Sequence, residues 1–240
     1  MLLYDAVVSH QGGTALAIQD QITEFWNTVA PHYESHPGNT AQVGTDHYDQ
    51  WVELFRRALP GSTSRILDVC TGTAFAASIA AALGHRVVAI DLAPVMLRLA
   101  RRTADARGLS LWVVQADAVM PSFRPGTFDT ITCRHGLWTL REPERALRHW
   151  HDLLAPTGRV VVLDSFRSWD AADPQSEQDN FFYRYYTPEV RAATSLMHVK
   201  DDLGLREVFR AAGFTNVSLE RLPQVFGDGS GEPYLMLADR

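Results

Sequence analysis

Three aspartates stand where three apolar runs end. Asp68 closes Arg65-Ile66-Leu67, Asp91 closes Arg86-Val87-Val88-Ala89-Ile90, and Asp117 follows Leu111-Trp112-Val113-Val114-Gln115. Burying a carboxylate costs free energy that a strand does not need for its own sake. If the runs are parallel strands, the acids gather beyond their carboxyl ends, where open α/β sheets bind ligands. After Asp68 the chain narrows to Thr71-Gly72-Thr73-Ala74 before an alanine-rich segment. Small residues in such a turn let backbone approach a ligand. A cationic ligand carrying a nucleoside would use all three acids, one at its ammonium, one at the ribose hydroxyls and one at the adenine amino group.

Further polar residues fall at the next strand ends. Phe128–Cys133 is followed by Arg134 and His135, and Arg159–Leu163 by Asp164. His135 is the candidate catalytic base, because imidazole titrates near neutrality. The competing reading is a hydrogen-bonded structural histidine. Arg134 suits a carboxylate or pairs with a surface acid, and Trp138 either walls an acceptor site or packs under the next helix. His32 and His36 are spaced i, i+4, but no third ligand accompanies them and no metal site is expected.

The elements that position these residues alternate. A helix is expected from Ala15 to Ala30, a loop over residues 31–44, and a second helix from Thr45 or Asp46 to Leu59, stopped by Pro60-Gly61. Strands then alternate with helices: one after Gly72, one from Pro94 to Arg107, and one from Glu142 to Leu154. Such alternation builds right-handed crossovers and a parallel sheet covered on both faces. Residues 167–200 break the rhythm with a polar stretch and the aromatic run Phe181-Phe182-Tyr183-Arg184-Tyr185-Tyr186, which reads as a lid or an inserted helical piece. A helix over Asp201–Ala212 and two strands, Asn216–Leu222 and Tyr234–Ala238, close the chain as an antiparallel pair.

These motifs, in this order, resemble the class I S-adenosylmethionine-dependent methyltransferases. That family has an acidic-x-Gly-x-Gly-x-Gly turn after strand one; here it is Asp68-Val69-Cys70-Thr71-Gly72-Thr73-Ala74, with only the middle glycine kept. A positive φ at Cys70 or Ala74 would be strained. Asp91, 23 residues beyond Asp68, takes the position of the ribose-binding acid, Asp117-Ala118 the adenine-reading pair, and Ala155–Arg159 the turn before strand five. A nicotinamide or flavin dinucleotide motif would need glycine at Phe75, where phenylalanine blocks helix–strand packing.

The resemblance implies a seven-stranded, mostly parallel doubly wound α/β sheet with an antiparallel last strand, a helical cap over residues 1–62, and a cofactor domain over 63–240 with an insertion after strand five. It implies S-adenosylmethionine bound by Tyr33, Asp68, Cys70, Thr71, Gly72, Asp91, Leu92, Met96, Asp117, Ala118 and Arg134. The acceptor would meet Trp26, His32, Trp138, Phe182, Tyr183, Tyr186 and His198. The alternative for Phe182, Tyr183 and Tyr186 is packing of an inserted helix. Because strands one and four are neighbours in the family, Cys70 and Cys133 should meet at the floor of the site as small buried hydrophobes.

With 22 basic against 28 acidic residues, a net charge of -6, the 240-residue chain has no cationic surplus for a nucleic-acid backbone. No apolar run is long enough to cross a bilayer and no secretory leader is evident, so a cytoplasmic enzyme is expected. The expected activity is methyl transfer to a small-molecule acceptor, of a secondary-metabolite kind. The alternative keeps the cofactor but not the methylation, for example cyclising its aminobutyrate arm. A non-catalytic binding module is a third reading.

Overall fold

Strands that are apolar on both faces are stable only inside a sheet with helices on each side. The computed structural model, which describes residues 18–35, 41–167, 181–226 and 231–240, has this architecture. Its strands are β1 (Arg65–Val69), β2 (Arg86–Asp91), β3 (Leu111–Gln115), β4 (Phe128–Arg134), β5 (Leu154–Phe166), β6 (Thr215–Arg221) and β7 (Glu232–Asp239). They form one seven-stranded sheet in the order β3-β2-β1-β4-β5-β7-β6. β1 to β5 are parallel, and β7 runs antiparallel between β5 and β6. The order reverses between β1 and β4, so a crevice opens beyond their carboxyl ends.

The two-residue period of the strands sorts the core into two layers. Leu67, Val69, Ile131, Cys133, Val160 and Val162 face helix α5 (Pro143–Leu153) and helix α8 (Asp202–Ala211), against Trp150, Leu147 and Phe209. Ile66, Val87, Ala89, Val161 and Leu163 face α2 (Asp46–Ala58) and α3 (Phe75–Ala82), against Trp51, Phe55 and Ile79. Thus α2 shares its core with the sheet. By contrast α1 (Ile18–Tyr33) packs on α4 (Pro94–Ala106) and on an aromatic cluster with α6 (Phe181–Tyr185) and α7 (Pro188–Ala193).

Two of the boundaries that differ from the sequence reading have a packing cause near the crevice. α1 runs on through Pro31, His32 and Tyr33, which were expected in a loop. Proline costs the helix one internal hydrogen bond. Burial of Ala30 with Ala93 and Met96, flanked by Trp26, Val29 and Tyr33, holds the last turn in place. The same helix completes α4, whose N-cap Ala93 has no capping side chain: Asn27 Oδ1 accepts the Val95 N–H at 3.1 Å. β5 is longer than Arg159–Leu163 because β7 pairs with it as far as Phe166. The Ala155–Gly158 turn survives as a register shift against β4. A Cβ on Gly158 would lie 2.9 Å from the Ala155 carbonyl oxygen, so only glycine fits.

Trp150 ties the second core layer to the crevice. It is fully buried and its Nε1 donates to the Ala118 carbonyl at 2.7 Å. Trp150→Phe leaves that carbonyl unpaired, and urea unfolding is expected to show a loss of about 1–3 kcal/mol.

Candidate functional site

The turn after β1 is built against its own conformational preference. Cys70, Gly72 and Ala74 all have positive φ, at 52°, 55° and 67°. Only Gly72 adopts this cheaply; an L-residue with a Cβ gives up about 1–2 kcal/mol. Hydrogen bonds hold the turn down. Thr71 N–H donates to Ile90 O and Ala74 N–H to Thr71 O, both at 2.9 Å. Gly72 N–H donates to Asp91 Oδ2 at 2.9 Å, and Ala93 N–H to Asp91 Oδ1 at 2.9 Å. Asp91 therefore clamps the β1 turn to the β2 loop. Burial raises its carboxyl pKa, and these N–H groups pull it back.

Asp68 lies beneath the turn, 1% exposed. Its carboxylate accepts the hydroxyls of Thr71 at 2.6 Å and Thr132 at 2.5 Å. Burial raises its pKa to about 6, opposed by the two hydroxyls and the charge of Arg134. The Arg134 guanidinium packs against the rings of both Trp51 and Phe75, 4.7 and 4.6 Å from their centroids.

These groups open into a cleft of about 670 Å3. Trp26 and Tyr33 come from α1, Leu92 and Met96 from beyond β2, and Asp117 and Ala118 from beyond β3. Asp91, Cys70, Gly72, Arg134 and His135 complete the floor. Asp68 and Thr71 line a smaller recess that shares Tyr33, Cys70, Gly72 and Arg134 with the cleft. His135 has φ 54° and is buried. Burial first, then the charges of Arg134 and Arg167, drive its pKa well below 6.5, so the ring is neutral at pH 7. Its Nδ1 has no hydrogen-bond partner among the described residues.

Comparisons with known proteins fit this geometry. A family described as a methyltransferase domain matches residues 67–162. A 2-phytyl-1,4-naphtoquinone methyltransferase from Thermosynechococcus vestitus is 35% identical over 161 residues, covering 65% of this chain and 70% of that one. The chain belongs to the class I S-adenosylmethionine-dependent methyltransferases. A demethylmenaquinone methyltransferase from Thermus thermophilus is 43% identical over 109 residues, 45% of this chain and 50% of that protein. The chain thus spans about half to three fifths of the length of the first curated relatives it matches. Among solved structures, Haemonchus contortus phosphoethanolamine N-methyltransferase 2 superposes with a TM-score of 0.70 at 16% identity, over 94% of this chain and 60% of that one, which shows the fold.

Against the expectations for this family, several side chains lie elsewhere. His32 is exposed on α1 and does not line the cleft, and His36 is outside the described residues. His198 is exposed and bonded to the Arg191 carbonyl. Tyr186 is fully buried, stacked on Phe182 at 4.4 Å and 10°. Tyr183 lies 5.1 Å under the Arg191 guanidinium. None of these three lines the cleft: the aromatic run packs the cap, whose rings are worth more buried against Phe25 and Trp138 than held open. Trp138 stands in that cluster and faces a second cavity. The Cys70 and Cys133 thiols meet under Gly136, and their hydrogen bond, then burial, raises the Cys133 pKa.

Two cleft residues carry no motif in the sequence. Arg141 pairs with Asp117 Oδ2 at 2.5 Å and donates from Nε to Gln19 Oε1 at 2.7 Å. It latches α1 across the cleft to the acid beyond β3. Their meeting depends on the fold, since 122 residues separate Gln19 from Arg141. Arg141→Ala is expected to speed amide hydrogen exchange in α1 several-fold while leaving α4 unchanged.

Proposed function

We propose that this methyltransferase moves a methyl group from S-adenosylmethionine to a small aromatic acceptor of the quinol type. The observation that carries the reading is the convergence of Asp91, Asp117 and the Gly72 turn on one cleft, with Asp68 in the recess that adjoins it. The residues fit the cofactor. Space is open around Gly72, where a Cβ would touch nothing within 4 Å. The Asp91 carboxylate keeps acceptor positions beyond its two N–H bonds for ribose hydroxyls. Asp117 and the Ala118 N–H serve the adenine edge, with Arg141 yielding part of its hold on Asp117. Asp68 and Arg134, with Tyr33 above them, serve the ammonium and carboxylate of the amino-acid arm. Cys70, Thr71, Leu92 and Met96 shape the rest of the pocket.

When bound, S-adenosylmethionine supplies a methyl carbon on a sulfonium, with a leaving group that needs no acid from the protein. The chain's task is alignment and exclusion of water. Trp26 and the aromatic cap behind it close the cleft from one side. His135, neutral and with a spare Nδ1, accepts a hydrogen bond from an acceptor hydroxyl and draws electron density onto its oxygen or ring. The names of the quinone-pathway relatives support this acceptor class and support methylation over cyclisation of the cofactor. The acidic surface balance argues against a nucleic-acid acceptor, and no helix among the described residues is long and apolar enough to cross a membrane.

Incubation with methyl-labelled cofactor and a panel of hydroquinones is expected to give labelled product and S-adenosylhomocysteine. Methylthioadenosine instead, or no turnover together with no binding, sinks the proposal. In calorimetry, Asp91→Ala is expected to weaken S-adenosylhomocysteine binding by at least tenfold. The pH profile follows from Asp68, whose pKa is about 6. A ligand ammonium binds the ionised carboxylate, so below pH 6 binding must expel a proton. Affinity should therefore rise from pH 5 to 7, by up to tenfold per unit below 6, and level above. Asp68→Asn should flatten that rise; an unchanged slope removes Asp68 from the ammonium site.

A further inference from the structure

The two cysteines of the chain meet where β1 gives way to the turn beneath the cleft. Cys133 pairs with Val69 across the β1–β4 ladder, and Cys70 is the next residue. Neighbouring strands are about 4.8 Å apart and successive residues about 3.3 Å, so a diagonal pair stands at roughly 6 Å, within the Cα span of disulfides. Strand alternation alone would turn Cys70 to the opposite face from Val69. Its left-handed backbone, φ 52°, ends the alternation, and its side chain packs in the same core layer as Cys133. The sulfurs converge under Gly136, where an added Cβ would lie 3.1 Å from Cys70 Sγ and 3.2 Å from Cys133 Sγ. The side chain that Gly136 lacks is the room in which they meet. The two thiols differ in access. Cys133 is 1% exposed, and its hydrogen bond to Cys70, then burial, push its pKa well above the ordinary thiol value. Cys70 is partly exposed and lines both the cleft and the recess beside it.

We propose that Cys70 and Cys133 are an oxidant-sensitive dithiol, which a peroxide converts to an intramolecular disulfide and a thiol reductant restores. Access sets the order of events. The Cys70 sulfur attacks one oxygen of the peroxide, the O–O bond breaks, and the departing hydroxide takes the Cys70 proton as water. Cys70 then holds a sulfenic acid. The Cys133 sulfur attacks that of Cys70, the S–O bond breaks, and hydroxide leaves with the Cys133 proton as a second water. Two thiols are oxidised, and one peroxide is reduced to two waters. The second step joins groups that are already hydrogen-bonded, so it outruns further oxidation of Cys70. The bond also acts on the cleft. An S–S bond of about 2.05 Å is shorter than any non-bonded contact of two sulfurs, so its formation draws the turn after β1 toward β4. That turn carries Gly72, which Asp91 clamps, and Gly136, packed on both sulfurs, adjoins His135 in the cleft floor. Oxidation thereby disturbs the surface that would meet the cofactor. This coupling rests on the methyl-transfer reading; the dithiol chemistry does not.

The reduced full chain is exposed to hydrogen peroxide with and without saturating S-adenosylhomocysteine, alkylated, digested without reductant and mapped by mass spectrometry. A peptide pair joined through Cys70 and Cys133 is expected from monomeric protein, and dithiothreitol should abolish it. With S-adenosylhomocysteine bound over Cys70 the pair should form about threefold more slowly. In calorimetry the oxidised chain should bind S-adenosylhomocysteine about tenfold more weakly, and dithiothreitol should restore the affinity. Cys133→Ala removes the resolving thiol, so no linked pair should form and Cys70 should go on to sulfinic acid. Cys133→Ser repeats the test with a side chain closer in size, which guards against a packing defect in Cys133→Ala. Sulfinic acid at Cys70 in the wild type, a bond between two chains, or thiols left intact by peroxide that oxidises free cysteine overturns the dithiol. An unchanged affinity in the linked form overturns its coupling to the cleft. Failure of the reduced chain to bind S-adenosylhomocysteine counts against the methyl-transfer reading alone, and the peptide map still decides the disulfide.

Discussion

The site depends on one carboxylate. Asp91 accepts the N–H of Gly72 on one oxygen and of Ala93 on the other, joining the turn after β1 to the loop after β2. Without that clamp, a turn with three alternate positions, 70, 72 and 74, in left-handed geometry would lose its tie to β2 through Gly72. Two of the three carry a Cβ, and each strained residue favours relaxation of the loop by an amount comparable to a hydrogen bond. Asp68 works from below in the same way, receiving the Thr71 hydroxyl from within the turn and the Thr132 hydroxyl from β4. Two buried acids thus hold rigid the backbone that the cofactor would touch, and they do so before any ligand arrives. Preorganisation of this kind lowers the ordering cost of binding.

Backbone strain is concentrated at this crevice. Of the five non-glycine residues with positive φ among the described residues, Cys70, Ala74, His135 and Glu142 stand at or beside it, and only Asn216 is remote. His135 and Glu142 bracket the segment that carries Trp138, Thr139 and Arg141. Strained positions persist only where surrounding contacts over-determine them. Here the contacts are visible: His135 N–H donates to Leu163 O at 2.9 Å, and Glu142 pairs with Arg141 and Arg145. The tight space under Gly136, where a Cβ would lie 2.5 Å from Cys70 Cβ, fixes the start of the same segment.

What could be read from the sequence follows from how local each determinant is. Arg86–Asp91 and Leu111–Gln115 were legible to the residue, because an apolar run bounded by glycine and a polar end is a local signal. The acids Asp68, Asp91 and Asp117 were legible as a set, since strand ends place them together whatever the loops do. The last turn of α1 was not, because Pro31 argues against helix locally and only burial of Ala30 with α4 overrides it. The same holds for the aromatic run. Its composition suits a ligand pocket and a packed cap equally, and the choice was made by Phe25 and Trp138, distant in sequence. Arg141 had no local signal at all, since an arginine in a loop is ordinary until the fold gives it neighbours.

The cap then explains why the segment after β4 is both strained and aromatic. Thr139 sits at its centre: its hydroxyl receives the Trp26 indole N–H at 3.3 Å and shares a 2.5 Å hydrogen bond with Tyr186. Three pieces of chain, α1, the post-β4 turn and the insertion after β5, meet on that one oxygen. Around it Trp138 contacts Trp26 at 5.9 Å and Tyr186 at 5.5 Å. Movement of α1 away from the cleft would therefore disturb the turn that carries His135, and a shift of that turn would disturb the wall of the second cavity. The buried Tyr186 hydroxyl, its pKa raised by burial, stays protonated and keeps this junction neutral. A neutral hydrogen-bonded hub suits the place, because a charge buried among these rings would carry a desolvation cost.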